Sequence, residues 1–228
     1  MFLPKIKIKT GKRGVIFFTL PEWNHAKEKI LIGKNASFLN LQIRYNEKSL
    51  ILGPIIGAPF LSIVLEILKS LGIEEIIGIG WAGKLSFKVN RGDLFLPLKA
   101  YTKEGVSKFY IPKKRVFYPD KALFKKIEKE MIKREISFKK GNIISVDAPF
   151  VFEIKKELLE KWKNEAETLD METSALFSIG KSLQIKVMAL HFIIDEVGKF
   201  FNKRPEEEIK IKRQKVFKIL KDFLDYKI

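Results

Sequence analysis

The sequence predicts a single α/β domain, and three observations support that fold class. Residues 49–86 hold an apolar run, an amphipathic segment and a second apolar run, the order typical of a βαβ unit. Buried-strand patterns recur over residues 143–146 and 185–194. A chain of 228 residues with 46% hydrophobic side chains is long enough to bury one core. We therefore expect one domain over residues 1–228.

The βαβ unit consists of two buried strands, expected over residues 50–52 and 76–80, and a helix over residues 59–71. Pro59 suits the first helical turn because its missing N–H would have no intrahelical partner there. Gly72 suits the end of the helix, since glycine adopts the left-handed conformation without a steric penalty. The two strands then run parallel in one sheet, joined by a right-handed crossover.

The loops after these strands are the expected place for a ligand. Residues 53–57 follow the first strand, and residues 81–83 are predicted to form a turn after the second. In an open α/β sheet, ligands collect where strands end and their loops begin. Gly57, Gly80 and Trp81 are therefore candidate binding residues.

Upstream of this unit the sequence predicts mostly strands, over residues 5–9, 15–18 and 38–44. Residues 21–23 are expected to form a loop that leads to a short helix over residues 26–30. The downstream elements are a strand over residues 94–97, a basic and aromatic excursion over 98–118, a helix over 120–134, a turn at 141–142 before the strand over 143–146, helices over 155–164 and after 172, the strand over 185–194 and a helix from Pro205.

Composition narrows the function classes. The net charge of +17 would attract polyanions, but the lysines are spread along the whole chain and no nucleic-acid-binding motif is present. We therefore expect a lysine-rich solvated surface, in a composition typical of heat-adapted proteins, and no specific nucleic-acid partner.

Metal and membrane functions are not expected either. The absence of cysteine excludes disulfides and thiolate metal sites, and two histidines argue against a multi-histidine metal site. No apolar run approaches the length of a membrane span, and the N-terminus lacks the apolar core of a secretory signal. We expect a cytoplasmic protein with no membrane contact and no metal or cofactor.

Short motifs occur in a colinear order over residues 15–200. They are Gly57-Ala58-Pro59, residues 80–83, Gly92-Asp93-Leu94, Glu104-Gly105 with Tyr110 and Pro112, residues 145–148, residues 170–176 and Ile194-Asp195-Glu196. In this order they resemble the nucleoside phosphorylase and nucleosidase family, which includes purine and uridine phosphorylases and methylthioadenosine-type nucleosidases. The most specific feature is the stretch over residues 170–176 combined with a late strand that ends in Asp195.

The resemblance implies a central twisted, mixed, barrel-like sheet flanked by helices. It also implies assembly as a homo-oligomer, a dimer or a hexamer, for which residues 98–118 would offer a contact surface. The implied chemistry is cleavage of the N-glycosidic bond of a nucleoside, here a purine nucleoside, without a cofactor. Phosphate is the co-substrate in the phosphorylase members.

The resemblance further implies roles for individual residues. Glu172 would accept hydrogen bonds from two ribose hydroxyls, and Met171 would lie under the sugar as an adaptable apolar surface. Asp195 would protonate or hydrogen-bond the departing base at N7. Phe150, or Phe152 if the alignment slips, would supply an aromatic face for the base.

Each of these residues also has a purely structural interpretation. Glu172 suits the first turn of a helix, near its positive end, and Asp195 suits the end of a strand or a helix cap. Phe150 is one of 19 phenylalanines, most of which belong to a core. His191 lies inside a predicted buried strand and is expected to be a core histidine with satisfied hydrogen bonds.

The phosphate site is where this sequence departs from the family. Phosphorylases place an arginine on the strand before the glycine turn and a Ser or Thr within the turn, whereas the corresponding residues here are Gly78 and Trp81. Residues 19–22 replace the usual Gly-Asp-Pro and arginine, and Ile55 replaces a glycine. A dianion needs several charge-assisted donors, so we predict that Trp81 blocks the phosphate position.

Three functions therefore remain open at the level of sequence. The first is a phosphorylase with altered phosphate ligands, and the second is a hydrolase of the same fold that uses water. The third is a degenerate, non-catalytic relative that binds a nucleoside-like ligand or a protein partner. We favour N-glycosidic cleavage and leave the acceptor open.

Overall fold

A computed structural model describes residues 8–30, 33–199 and 204–228 of the chain. The strands are β1 (Arg13–Phe17), β2 (Lys34–Phe38), β3 (Leu41–Tyr45), β4 (Ser49–Gly53), β5 (Glu75–Lys84), β6 (Leu94–Lys103), β7 (Val116–Phe117), β8 (Lys139–Val146), β9 (Thr168–Asp170) and β10 (Lys186–Glu196). The helices are α1 (Leu20–Ala26), α2 (Ala58–Ser70), α3 (Ser107–Tyr110), α4 (Lys121–Lys133), α5 (Pro149–Ile154), α6 (Lys156–Lys163), α7 (Thr173–Leu183) and α8 (Glu206–Leu224).

All ten strands belong to one mixed sheet, ordered β10-β6-β8-β9-β5-β1-β4-β3-β2 with β7 paired to β6. The sheet closes because β5 also pairs with β10 along its whole length. One edge of β5 is shared: residues 75–79 pair with β1, and Gly83 and Lys84 pair with β9. The predicted α/β class with a barrel-like, mixed sheet flanked by helices is confirmed.

The βαβ unit is also confirmed. β4 and β5 are both parallel to β1, which lies between them, and α2 connects them. Gly72, with a φ of 81°, follows α2 in the left-handed conformation that the sequence predicted. The buried side chains of α2 include Leu61, Val64 and Leu68, each worth about 2 kcal/mol of hydrophobic stabilisation, whereas Ile63 is exposed.

Helices cover both faces of the sheet. α2 and α7 pack on one face against a core that contains Ile16, Leu52 and Ile76. α1, α4 and α8 contribute to the core of the other face, around Val15 and Ile77. Among the described residues, no helix combines the length and the apolar character needed to cross a membrane.

Three predictions near the N-terminal half are wrong. Residues 81–83 continue β5 instead of turning, because they pair with β10 on one edge and Gly83 pairs with Leu169 on the other. Residues 20–26 are helical, so the predicted loop at 21–23 lies inside α1 with its proline in the first turn. The single strand predicted over 38–44 is a hairpin, since Leu39 and Asn40 adopt positive φ angles of 46° and 64°.

Other predictions differ in extent. The turn predicted at residues 141–142 lies inside β8, and α5 forms where the sequence predicted no helix. The excursion over residues 98–118 contains the second half of β6, α3 and β7. Of the strand predicted over residues 5–9, residues 5–7 lie outside the described residues and the remainder belongs to no strand.

Candidate active site

A cavity of about 400 Å³ lies where β5, β9 and β10 end beside α1 and α5. Its lining residues are Phe18, Thr19, Leu20, Pro21, Ile56, Trp81, Ala82, Gly83, Pro149, Phe150, Glu153, Leu169, Asp170, Met171, Glu172, Ile194, Asp195 and Val197. The cavity brings together segments that are up to about 180 residues apart in the sequence, as expected for a site built on strand ends.

Five of the seven candidate residues line this cavity: Trp81, Phe150, Met171, Glu172 and Asp195. Gly57 and Gly80 do not. Phe152, the alternative to Phe150, is instead buried in a separate apolar cluster with Trp162. Of these two phenylalanines, Phe150, which is 68% exposed, is the one that lines the cavity.

Gly57 and Gly80 contact residues that line the cavity, namely Glu172 and Phe18. Gly57 donates its N–H to Oε1 of Glu172 at 2.6 Å, with a φ of 82° at the glycine. Phe18 packs across β5 so closely that a Cβ at Gly80 would lie 2.7 Å from its Cδ2, and one at Gly78 would lie 2.6 Å from its Cζ. The two β5 glycines therefore make room for the ring of Phe18.

Glu172 immediately precedes α7 and is only 6% exposed. Burial raises the pKa of its carboxyl to about 8, and the neighbouring carboxyl of Asp170 adds to the increase. The N–H groups of Gly57 and Met171 oppose the shift by donating to the carboxyl at 2.6 and 3.3 Å. Glu172 thus keeps its proton to a higher pH than an ordinary glutamate does, and in the protonated form it can donate as well as accept a hydrogen bond.

Asp170 lies at the end of β9 and is held by a buried network. It accepts hydrogen bonds from Ser145 Oγ at 2.5 Å, and from Thr173 N and Oγ1 at 2.8 and 2.5 Å. The Thr173 hydroxyl also contacts Nε2 of His191 at 2.7 Å. These contacts fix the N-terminal end of α7 and, with it, the neighbouring Glu172.

His191 is fully buried, as the sequence predicted, but its hydrogen bonds are only half satisfied. Its Nδ1 has no hydrogen-bond partner within the described part of the chain, and its ring stacks on that of Phe18 with centroids 6.1 Å apart. Burial lowers the pKa of the imidazole, although the nearby Asp170 opposes this. A neutral ring suits this apolar position.

Asp195 reaches the cavity from the end of β10. The pairing of β10 with β5 is irregular here: Ile193 pairs with Ala82 and Asp195 pairs with Gly83, so Ile194 is an extra residue in β10. Such an extra residue bends the strand and changes the direction of the side chain that follows. The side chain is exposed at the cavity mouth, yet partial burial raises the pKa of its carboxyl, opposed by Arg91 and Arg204. Asp195 therefore retains a proton at higher pH than an ordinary aspartate does.

Glu153 is a further carboxyl in the cavity, which sequence reasoning missed. It lies one turn after Phe150 on α5, so both side chains share one face of that short helix. Burial raises the pKa of its carboxyl, with a further contribution from Asp195, while the N–H of Gly198 opposes it. The signal in the sequence was the spacing of three residues, which is visible only once residues 149–154 are known to be helical.

Trp81 covers a buried ionic cluster. Its indole N–H donates to Oε1 of Glu22 at 3.0 Å, and Glu22 is fully inaccessible to solvent. Arg213 of α8 binds the same carboxyl in bidentate fashion: its Nε and Nη2 each donate to one carboxyl oxygen at 2.8 Å. Its Nη1 donates to Glu206 at 2.7 Å. Arg204 lies over the indole ring at 4.5 Å. No local pattern links Glu22 to a partner 191 residues away.

The described residues contain no cluster of three or more His, Cys, Asp or Glu side chains arranged to hold a metal ion. The cavity itself combines apolar walls with carboxyl groups. Such a site can bind a polar ligand through few directional contacts and pack the remainder against Phe18, Phe150 and Met171.

Comparison with known proteins agrees with this geometry. A sequence profile of the phosphorylase superfamily matches residues 19–225. The chain belongs to the phosphorylase superfamily.

The chain is 26% identical over 162 residues to one relative, a DeoD-type purine nucleoside phosphorylase from Streptococcus suis. The match covers 69% of this chain and 65% of that protein.

Two solved structures share the fold of this superfamily member. Uridine phosphorylase from Vibrio fischeri superposes with a TM-score of 0.80 at 23% identity, covering 96% of this chain and 93% of that one. The 5'-methylthioadenosine/S-adenosyl homocysteine nucleosidase from Campylobacter jejuni gives a TM-score of 0.75 at 17% identity, covering 93% and 99%.

Proposed function

We propose that this phosphorylase-superfamily protein cleaves the N-glycosidic bond of nucleosides, with purine nucleosides as the preferred substrates. The observation that carries the proposal is the placement of Glu172 and Asp195, together with Met171 and Phe150, in one cavity of about 400 Å³. The named relatives, a purine phosphorylase, a uridine phosphorylase and a nucleosidase, all act on nucleosides.

The chemistry divides between the two carboxyl groups. Glu172 binds the ribose hydroxyls, for which its position at the apolar floor beside Met171 is suited. Partial burial raises the pKa of Asp195 and so favours its protonated form, which gives its proton to the base as the bond between C1′ and the base nitrogen breaks. The purine preference rests on this acid, since a purine offers N7 as the acceptor.

The test is release of free base from a panel of purine and pyrimidine nucleosides, compared between the wild type and two variants. Asp195→Asn should lower turnover by about 10²–10⁴-fold with little effect on binding. Glu172→Gln should weaken binding and also slow turnover, because the ribose is held in both the ground and the transition state. Asp225→Asn, at the C-terminal end of α8, is the matched control and should be unchanged.

Unchanged cleavage by Asp195→Asn would remove this residue from the mechanism. Saturable nucleoside binding without cleavage of any substrate would identify a non-catalytic relative instead. A pyrimidine preference would contradict only the substrate assignment.

We further propose that the protein self-associates. Leu98, Phe109 and Tyr118 are exposed apolar or aromatic side chains within the 98–118 segment, at 44%, 79% and 58%. Sedimentation at micromolar concentration should show a dimer or a hexamer. A clean monomer would contradict this assembly and leave the catalytic proposal standing.

A further inference from the structure

We infer that the cavity excludes anions, so that water and not phosphate accepts the ribosyl group, and that nucleosides without a phosphate group are its substrates. The inference rests on the proposed function and specifies its co-substrate. It follows from the distribution of charge around the cavity and from the use already made of each nearby hydrogen-bond donor.

The cavity wall carries carboxyl groups and no described basic side chain. The carboxyl groups are those of Glu153, Asp170, Glu172 and Asp195. Of the described residues that line the cavity, none is a lysine or an arginine, although the protein carries a net charge of +17. A phosphate dianion would have to enter this cavity without the cationic donors that it needs.

The backbone donors near the cavity are already engaged. The N-terminus of a helix such as α7 ordinarily attracts anions through its free N–H groups. Here two of those groups bind side chains of the protein itself: Thr173 N donates to Asp170 at 2.8 Å, and Ser174 N donates to Ser145 Oγ at 2.9 Å. Just before α7, Met171 N donates to Glu172 at 3.3 Å. The N–H of Gly57 also donates to Glu172, at 2.6 Å. An anion would find these donors occupied.

The side-chain donors near Trp81 are also engaged. The indole N–H of Trp81 is bound to the buried carboxyl of Glu22, which does not line the cavity. The buried guanidinium of Arg213 is bound to Glu22 and Glu206. Because the indole N–H of Trp81 and the guanidinium of Arg213 both bind Glu22, neither is available to a ligand in the cavity. Glu22 is therefore a specificity-determining residue that acts through Trp81 and Arg213.

Two other cations influence Asp195 without lining the cavity. Arg91 donates to the backbone oxygen of Ile194 at 3.2 Å, and Arg204 lies over the ring of Trp81 at 4.5 Å. Both oppose the increase in the pKa of Asp195 that burial causes. Neither is among the residues that line the cavity.

The hydrolysis is balanced with the groups present. The bond from C1′ to the base nitrogen breaks, its electron pair leaves with the base, and the base takes the proton of Asp195. A water oxygen forms the new bond to C1′ and loses one proton, which restores the neutral carboxyl of Asp195. The products are free base and free ribose, with no sugar phosphate.

The experiment measures base release with and without phosphate, and in ¹⁸O-labelled water. We expect rates within about twofold in the two conditions, ¹⁸O in the ribose and no ribose 1-phosphate. Base release that requires phosphate, or formation of ribose 1-phosphate, would overturn the inference while leaving the proposed function intact.

A binding measurement tests the inference even if no nucleoside is cleaved. Inorganic phosphate is titrated against Trp fluorescence of the wild type, where we expect no saturable change. Ile56→Arg places a cation on the cavity wall and should create phosphate binding, whereas Ile63→Arg, on α2 and outside the cavity, should not. Phosphate binding by the wild type as tight as that by Ile56→Arg would overturn the inference.

Discussion

Glu22 and Glu172 are both buried glutamates, at 0% and 6% exposure, but the chain surrounds them in opposite ways. Glu22 faces the bidentate guanidinium of Arg213 and the indole N–H of Trp81. Glu172 faces two backbone N–H groups and the carboxyl of Asp170. Among the described residues, a cation pairs with the carboxyl of Glu22 and none pairs with that of Glu172.

The difference shows how one residue type serves two purposes in the same fold. The ion pair of Glu22 connects α1 to α8 and also holds Trp81 in place. Within residues 8–30, 33–199 and 204–228, no cation pairs with the carboxyl of Glu172, so its protonation responds to what enters the cavity. We regard the ion pair of Glu22 as structural and the carboxyl of Glu172 as responsive, meaning that its protonation changes with ligand binding.

The largest expected effect comes from breaking the matched pair. Arg213→Met leaves the carboxylate of Glu22 buried without a cation and should lower the free energy of unfolding by about 3–5 kcal/mol. Lys163→Met is the control, because it breaks an exposed pair with Glu160 and should cost under about 1 kcal/mol. Chemical denaturation measures both.

The double variant Glu22→Gln with Arg213→Met removes both charges and should recover much of the lost stability. If Arg213→Met were as mild as Lys163→Met, the pair would not be the structural element that we describe.

An effect of similar or smaller size is expected from pH, through Glu172. The pKa of this carboxyl is about 8 in the folded protein, against an ordinary value of 4.5 for glutamate, so the folded state keeps a proton that the unfolded state loses. The free energy of unfolding should therefore decrease as pH rises from 4.5 to 8, by at most about 5 kcal/mol, and then level off.

Glu172→Gln cannot titrate, so the difference between wild type and variant isolates this group. The variant should gain stability relative to the wild type as pH rises through that window, measured by denaturation at about pH 5, 6, 7 and 8. A constant difference would show that Glu172 is not protonated in the folded state.

The smallest effect is the coupling of the responsive carboxyl to ligand binding. Ribose hydroxyls that donate to Glu172 favour its ionised form, so nucleoside binding should release a proton and tighten by at most about tenfold per pH unit as pH rises toward about 8. Calorimetry in buffers of different ionisation enthalpy counts the proton. Equal heats in all buffers would contradict the prediction, and Glu172→Gln should release none.

The sequence predicted those parts of the fold whose periodicity is strong. The unit of β4, α2 and β5 followed from two apolar runs and a helical pattern, and α4 followed from Asp120, which accepts a hydrogen bond from Leu123 N at 2.8 Å. Residues 81–83 were misassigned because glycine was interpreted as a turn signal, whereas the barrel needs this stretch as paired strand.

The site was predictable only where a motif carried it. Glu172, Met171 and Asp195 lie in the motifs that resemble the family, Phe150 lies beside one of those motifs, and all four line the cavity. Glu22 was not predicted, because its partner Arg213 lies 191 residues away and no local sequence pattern indicates the pair. Long-range ionic contacts depend on the closed fold, which single-sequence patterns do not encode.

The ring of Phe18 against β5 also constrains how this protein can evolve. A Cβ at Gly78 would lie 2.6 Å from the Phe18 ring and 3.0 Å from Leu176, so an arginine at this position cannot be accommodated by a single substitution. Phe18 would have to become smaller first, which leaves a void beside His191. Chains with glycine and with arginine at this position are thus separated by a destabilised intermediate, and a change from one to the other is difficult to reverse.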